Sequence, residues 1–449
     1  MSSYPSYSHS DVSWIGQIPS HWHQCSLKHV IENFIAGGTP STSEASFWSE
    51  SDDGTPWVAI GDMSGRDSVF AASKRLTATG MAEKRLSAMP AGTVIYSMYA
   101  SVGFAAMLHV PAVTNQAILG LVHDENVNPI FLRGFLNALR PHVLREVSSN
   151  TQDNLNAEKV KNLPFVLPPL AEQIAIAGYL DAETARIDML IEGKEQLQAL
   201  LQELKHSTLT KAIHEGLEPD APMNDSGVSW FSKLPSHWAP MRLKRVIDGI
   251  ENGWSPQCEG EPAAPGQWGV LKAGACNGGV FRMEENKALP SNEDPRPELE
   301  IKPGNVLMSR ASGSLDLVGS VAFVEDVPTG LMLSDKIFRL KIDDEEVCGE
   351  WLALALNSSP MRRQIASFVG GAEGLARNIA SGNIRELVLP LPPRKEQVQI
   401  VQAVKRDLAR IAELVMHVAQ ELELLRELRT STITDAVLGR IDVRKTKNN

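Results

Sequence analysis

The 449-residue chain is long enough for two to four units with their own cores, and its 43% hydrophobic and 22% charged residues are ordinary for a soluble globular protein. No run approaches about 18 apolar residues, the Ser- and Tyr-rich start lacks signal-peptide organisation, and the four cysteines (Cys25, Cys258, Cys276, Cys348) show no CxxC spacing; this speaks against a membrane span, a secretory leader and a zinc or disulfide framework, and fits a reducing cytoplasm. The formal net charge of -11 argues against unaided tight DNA binding, but 166–225 alone carries eleven Asp or Glu against four Lys or Arg, leaving the remainder only mildly acidic.

Read in order, the chain is written twice. After a tail over 1–11, Val12-Ser-Trp-Ile-Gly-Gln-Ile-Pro-Ser-His-Trp22 opens a globular part that returns as Val228-Ser-Trp-Phe-Ser-Lys-Leu-Pro-Ser-His-Trp238. Leu27-Lys28 returns as Leu243-Lys244, and Leu136-Asn137 as Leu356-Asn357. The globular parts, 12–165 and 228–388, carry short β-rich runs broken by Gly and Pro, such as Gly92-Thr-Val-Ile-Tyr96, Ala117-Ile-Leu-Gly-Leu-Val122 and Ile337-Phe-Arg-Leu-Lys341. Short helices are expected over 129–139 and 350–356. Each part reads as α+β with a mixed sheet, and the two copies suggest a pseudo-twofold arrangement.

Long helices follow each globular part. Leu167-Pro-Pro-Leu-Ala-Glu-Gln173 and Leu391-Pro-Pro-Arg-Lys-Glu-Gln397 place Pro where a helix begins, and Gly216 and Gly439 stand where it ends. The central long helix is expected over 166–216 and the distal one over 389–439, roughly 65 Å each if continuous. A linker is expected over 217–227 and a flexible tail over 440–449.

An a/d pattern runs through Ile187, Leu190, Leu197, Leu201 and Leu204, interrupted by Lys194. In the distal helix it runs through Ile411, Leu414, Val418, Leu425 and Leu428, interrupted by Glu421. In an antiparallel pair, partner positions have a constant sum; a sum of 615 pairs every apolar residue with another and Lys194 with Glu421. The helices are therefore expected to form an antiparallel coiled coil whose register that ion pair fixes. The alternative is that each helix covers only its own domain.

With the repeated Trp14…Pro19-Ser-His-Trp22 and Trp230…Pro235-Ser-His-Trp238 openings and the repeated Leu-Pro-Pro-x-x-Glu-Gln helix starts, the chain resembles the specificity subunits of type I restriction-modification systems. The resemblance covers nearly the whole chain. It implies two target-recognition domains, each reading half of a split, non-palindromic sequence in double-stranded DNA. It also implies two methyltransferase subunits, two motor-nuclease subunits in the full complex, and no cofactor on this chain, S-adenosylmethionine, ATP and Mg belonging to the partners. The globular halves differ while the helices agree, which independently suits two readers on one spacer. Two readers facing one side of B-DNA need half-site centres roughly 10 bp apart, leaving a gap of about 6 bp.

No catalytic site is expected. Asn162-Leu-Pro-Phe165 resembles an adenine methyltransferase signature, but its repeat is Glu386-Leu-Val-Leu389 and no Gly-rich cofactor loop follows a strand. Asp294 with Glu300-Ile-Lys302 is similar to a nuclease carboxylate cluster but reads as surface charge, and no phosphate-binding GxxxxGK[ST] loop is present. His21 and His237 read as packing residues beside Trp. The rival class is a coiled-coil scaffold that binds proteins and never reads sequence, for which two divergent domains would be superfluous.

Base readers are usually polar residues on loops or helix starts. In the first domain the candidates are Thr39, Ser41, Ser101, Asn115, Gln116, Asn150, Thr151, Gln152 and Asn154. In the second they are Ser255, Lys272, Arg310, Ser312, Ser334, Lys336, Arg377 and Asn378, with Arg310 suited to a bidentate contact with guanine.

Overall fold

The computed structural model describes residues 3–149, 155–258, 260–370 and 377–445. The chain divides into two units, one of residues 1–195 with 420–449 and the other of residues 196–419. The boundaries cut through the two long helices, Leu170–Glu215 and Arg394–Val437, so each unit joins one globular domain to a segment of each helix.

In the first unit a five-stranded sheet runs in the order Ile31–Ala36, Ile118–His123, Val94–Ser97, Ala105–Leu108, Ser68–Val69. All its pairings are antiparallel except the last. Val94–Ser97 is buried throughout because both faces are covered: Val94 and Tyr96 enter one core and Ile95 another, as the two-residue period of a strand requires. A second, four-stranded sheet (Val113–Thr114, Thr55–Val58, Lys74–Leu76, Trp48–Ser49) is also mixed. The helix Pro129–Ser149 buries Phe131, Leu132, Phe135, Leu136 and Leu139 in the larger core, and continues past Pro141, where the sequence suggested an end near 139.

The second unit repeats this plan. Gly249–Asn252, Ile337–Lys341, Val306–Ser309 and Val321–Phe323 form an antiparallel sheet, and Asn286–Ala288, Gly269–Leu271 and Leu331–Met332 a mixed one. Val306 and Met308 face one core and Leu307 the other. Two short helices, Gly349–Asn357 and Ser359–Ser367, stand where the first unit has one. The repeated Asn clamps a strand end in each unit: Asn137 Oδ1 accepts from Ala105 N at 2.8 Å and its Nδ2 donates to Ala105 O at 3.0 Å, as Asn357 does with Val321 N and O.

The repeated sequence motifs are the joints between domain and helix. In the first unit Glu172, at the start of the central helix, accepts from Trp22 Nε1 at 3.0 Å, and His21 Nε2 lies 2.8 Å from its other oxygen. In the second, Glu396 accepts from Trp238 Nε1 at 3.0 Å and meets His237 Nε2 at 2.9 Å. The neighbouring glutamines are buried: Gln173 bonds Asn128 N, Asn126 O and Pro168 O, and Gln397 bonds Cys348 N, Glu346 O and Pro392 O. Each motif ties a helix start to the loop preceding a domain helix. The closing glycines seat the helix ends: a Cβ on Gly439 (φ 68°) would stand 2.5 Å from Pro19, and one on Gly216 (φ 79°) would press on the Trp238 ring.

The first joint has an addition. Arg444 Nη1 donates to Glu172 at 2.8 Å and its guanidinium lies over the Tyr4 ring, while Arg444 in turn holds the Asp442 carboxyl below the usual carboxylate range. Burial, with Glu172 beside it, pushes the Tyr4 phenol up. The terminal regions expected as flexible tails over 1–11 and 440–449 are therefore structured from Tyr4 and up to Lys445. Tyr4 is buried, Tyr7–His9 pairs with Gln17–Pro19, and Ile441 and Val443 join the core. The expected linker over 217–227 likewise contains much of a strand, Met223–Val228, paired with Phe231–Pro235.

Within the first unit the helix segments run antiparallel: Arg429 bridges Asp188 and Asp67, and Lys194 Nζ stands 2.6 Å from Glu421 Oε2. Within the second, Ala212 and Ile213 share a core with Ile400, Val401 and Val404. The heptad reading needs a correction in phase. Ile187, Leu201, Ile411 and Val418 are buried and Leu425 half-buried, but Leu190, Leu197, Leu204, Leu414 and Leu428 are exposed by 38–50%. The covered positions are instead Ile191, Gln198, Val415 and Leu422, one residue further along. Adjacent apolar pairs such as Leu190-Ile191 and Leu414-Val415 satisfy either phase, and packing chooses the second.

Candidate nucleic-acid interface

In each domain three loops leave the main sheet at the same edge. In the first domain these are 37–41, after Ile31–Ala36; 98–104, between Val94–Ser97 and Ala105–Leu108; and 115–117, before Ile118–His123. Backbone bonds join them: Gly38 N to Thr114 O at 2.8 Å and Met98 N to Ala117 O at 2.8 Å. Gly37 allows the closest approach, because a Cβ there would lie 2.1 Å from Asn115 O. Trp57 Nε1 donates to Gly38 O at 2.8 Å and fixes the glycine turn from beneath.

This edge brings Thr39 and Gln116 into a side-chain hydrogen bond, with Gln116 exposed. Asn115 Oδ1 accepts from Ala117 N at 3.1 Å, so its side chain shapes the turn. Ser101 reaches Ser64 Oγ at 2.9 Å in a loop where Ala100 and Ser101 both take positive φ (35° and 55°), a conformation costly for residues with a Cβ. Ser97 Oγ braces that loop by donating to Tyr99 O or Ala100 O. Ser41 is exposed and contacts Ser43. Asn150, Thr151, Gln152 and Asn154 lie outside the described residues.

The second domain gathers its candidates more tightly. Trp254 N donates to Leu333 O at 3.0 Å and Arg310 N to Lys336 O at 2.8 Å, the same two loop-to-loop bonds found in the first domain. Asp335 N donates to Ser255 Oγ at 3.2 Å, and Lys336 Nζ pairs with Asp335 Oδ2 at 3.0 Å. Ala311–Ser312 pairs with Arg377–Asn378, and Ile379 N donates to Arg310 O at 3.1 Å, adding a fourth segment to the corner. Gly269–Leu271 runs parallel to Leu331–Met332 with Val270 opposite Met332, so Lys272 and Ser334 leave their strands at the same end. Ser334 itself is 2% exposed with its hydroxyl enclosed, which removes it from the base readers: loop polarity in sequence does not reveal that this position faces inward.

Two residues at the corners carried no sequence signal. Asp335 is interposed between Ser255, Arg310 and Lys336, and Arg296 stacks on Trp254 at 3.9 Å, anchoring the residue before Ser255. Ser255 lies 80 positions from Asp335, and Trp254 is likewise distant in sequence from Arg296, so only folding brings these pairs together.

The sequence elements that imitate catalytic signatures are engaged elsewhere. Asn162 Oδ1 accepts from Lys28 Nζ at 2.9 Å, as Glu386 accepts from Lys244 in the second copy. Glu300 accepts from Gly330 N at 2.9 Å and its carbonyl takes Arg339, so it braces a turn. Among the described residues no three His, Cys, Asp or Glu converge as a metal site, and no helix is long and apolar enough to cross a membrane.

A mixed α+β domain presenting polar loops at one sheet edge, followed by a long helix, occurs twice in the chain. Residues 19–199 match the type I restriction modification DNA specificity domain. The chain is 28% identical over 269 residues to the EcoEI specificity subunit of Escherichia coli, covering 60% of this chain and 44% of that protein. It is 24% identical over 353 residues to the EcoKI specificity subunit of Escherichia coli K12, covering 76% and 72%. In fold it is similar to a chain from a type I restriction-modification assembly (TM-score 0.69, 19% identity, 94% of this chain and 98% of that one). It is also similar to the HsdS subunit of Thermoanaerobacter tengcongensis (TM-score 0.53, 18% identity, 94% and 98%). The chain is thus similar, over part of its length, to the specificity subunits of type I restriction enzymes.

Proposed function

We propose that this chain is the sequence-reading, non-catalytic subunit of a type I restriction-modification complex and acts on double-stranded DNA in the cytoplasm. Each α+β domain reads one half of a bipartite, asymmetric target. Two methyltransferase subunits and two motor-nuclease subunits complete the assembly and bring S-adenosylmethionine, ATP and Mg. The observation that carries this reading is the loop corner: the same backbone bonds, Gly38 to Thr114 and Trp254 to Leu333, frame different side chains in the two domains. A shared frame with divergent contents suits two readers of different sequence. Thr39, Ser41, Ser101 and Gln116 in the first domain, and Ser255, Lys272, Arg310, Ser312, Lys336, Arg377 and Asn378 in the second, are the proposed DNA-contacting residues. The net charge of -11 fits a reader whose affinity is supplemented by its partners.

The test is to co-express the chain with the methyltransferase subunit of its system and map methylated adenines across the host genome by long-read sequencing. A bipartite asymmetric motif with a fixed gap supports the reading. A stable complex that methylates without any motif would refute it.

A further inference from the structure

The two corners can be compared position by position because their backbone bonds coincide. Met98 N donates to Ala117 O where Arg310 N donates to Lys336 O. Thr39 meets Gln116 where Ser255 meets Asp335. The equivalent positions therefore hold Met98 and Arg310, and Gln116 and Asp335. Met98 is 6% exposed and apolar, so the first corner has no cation at this point, and its exposed polar group is the Gln116 amide.

Arg310 is aimed rather than consumed. Its guanidinium lies 5.5 Å from the centre of the Phe338 ring, and Nη1 donates weakly to Asp335 O at 3.4 Å. Among the described residues that is its one side-chain hydrogen bond, which leaves four of five N–H donors unspent. The backbone beneath is fixed on both sides, by Arg310 N to Lys336 O and Ile379 N to Arg310 O. A fork held by an aromatic ring and a carbonyl, on a fixed backbone at a loop edge, matches the bidentate pattern of guanine O6 and N7. The Gln116 amide offers a donor and an acceptor oxygen, the latter also accepting from Thr39 Oγ1 and so held in place with a lone pair to spare, which matches adenine N6 and N7.

Resting on the DNA-reading function above, we propose that the two domains read through one equivalent corner: Arg310 specifies a guanine in the half-site of the second domain, and Gln116 specifies an adenine in the half-site of the first. Lys336 Nζ is paired with Asp335 Oδ2 at 3.0 Å, so Arg310, with four donors unspent, is the group assigned to the guanine.

The experiment maps methylation motifs of the full complex with wild-type chain, Arg310→Gln, Arg310→Lys and Gln116→Glu, and measures binding of the wild-type target and its single-base variants against salt. Arg310→Gln is expected to reduce discrimination at one guanine of one half-site by about 10- to 100-fold while the other half-site is read as before. Arg310→Lys, which keeps the charge without the fork, should retain part of that preference. Gln116→Glu should alter one adenine of the opposite half-site only. The half-site left untouched by each variant reports that the complex has folded. A wild-type motif that survives Arg310→Gln unchanged overturns the assignment. So does uniform weakening on all sequences with the salt slope reduced by about one, the signature of a phosphate contact. A wild-type complex without any motif would instead overturn the DNA-reading function itself.

Discussion

Gln173→Leu should release the first domain from its helix. The side chain is wholly buried and makes three bonds to main-chain groups: it accepts from Asn128 N at 2.9 Å and donates to Pro168 O at 2.8 Å and Asn126 O at 3.0 Å. Leucine fills a similar volume, so little of the effect comes from a cavity; the cost is three main-chain polar groups left without this partner in a dry place. At about 1–3 kcal/mol for each such group, with carbonyls at the lower end, the loss is about 3–6 kcal/mol. That is a large share of a domain stability of about 5–15 kcal/mol. The twin substitution Gln397→Leu should cost less, because one of its three bonds, to Glu346 O, is stretched to 3.4 Å. Two domains need not unfold as one transition, so the assay is hydrogen exchange resolved by peptide on the full-length chain. Gln173→Leu should accelerate exchange across 126–132 and 168–176 while 346–352 and 392–400 keep their wild-type protection, with Gln397→Leu giving the converse. Unchanged protection of the Asn128 amide in Gln173→Leu would refute the argument, since that amide has lost its acceptor.

His214 should make the second unit acid-sensitive: burial first, then the charge of Arg363, lowers its pKa from 6.5 to about 4. The unfolded chain therefore takes up a proton near pH 6.5 that the folded chain refuses until about 4, so stability falls as pH drops through that window, by about 3 kcal/mol in all; urea unfolding at pH 7.5 and 5 should show the loss in wild type and less of it in His214→Phe, and equal slopes would count against it. Lys194→Glu should set like charges face to face, and combining it with Glu421→Lys should restore the helix pair; because both side chains are substantially exposed, the coupling is small, about 0.2–1 kcal/mol by double-mutant cycle, and a cycle that shows no coupling would remove the ion pair from any role in register. Cys276 should resist alkylation at pH 8 until the second unit opens, since burial pushes its thiol up to about 12; mass spectrometry of the native protein treated with iodoacetamide reads this directly, and rapid native labelling would contradict it.

The repeat was legible in sequence because its framework is made of residues that sequence displays well. Trp22, Glu172 and Gln173 recur as Trp238, Glu396 and Gln397, and each makes the same bonds in both copies. Lys28 and Lys244, read only as a matched pair, prove to hold the loop before the last strand of each domain. What could not be read depends on distance along the chain or on choices between equal alternatives. The first residues look like a polar tail, yet Tyr4 is buried against Trp22 and Arg444, a partner 440 positions away. The seam phase was ambiguous wherever two apolar residues adjoin. Ser334 has the composition of a loop reader but the burial of a core residue, which no local pattern distinguishes.

The asymmetry between the copies bears on how such a protein can diversify. The helix-to-domain joints are centred on buried side chains, Trp22 and Gln173 in one copy and Trp238 and Gln397 in the other, where substitution is expected to cost stability. The corner loops, by contrast, are held together by main-chain bonds: Gly38 to Thr114, Met98 to Ala117, and their counterparts at Trp254 and Arg310. A frame made of main chain tolerates almost any side chain projecting from it, provided Gly37 and Gly253 remain small, each facing a carbonyl at 2.1 Å from a would-be Cβ. Met98 can stand where Arg310 stands without disturbing either sheet. Under the proposed function, stability and recognition would fall to different sets of residues within the same domain. Under the proposed function, the reading of DNA would change by substitution at a few corner positions while the joint to the helices stays as it is.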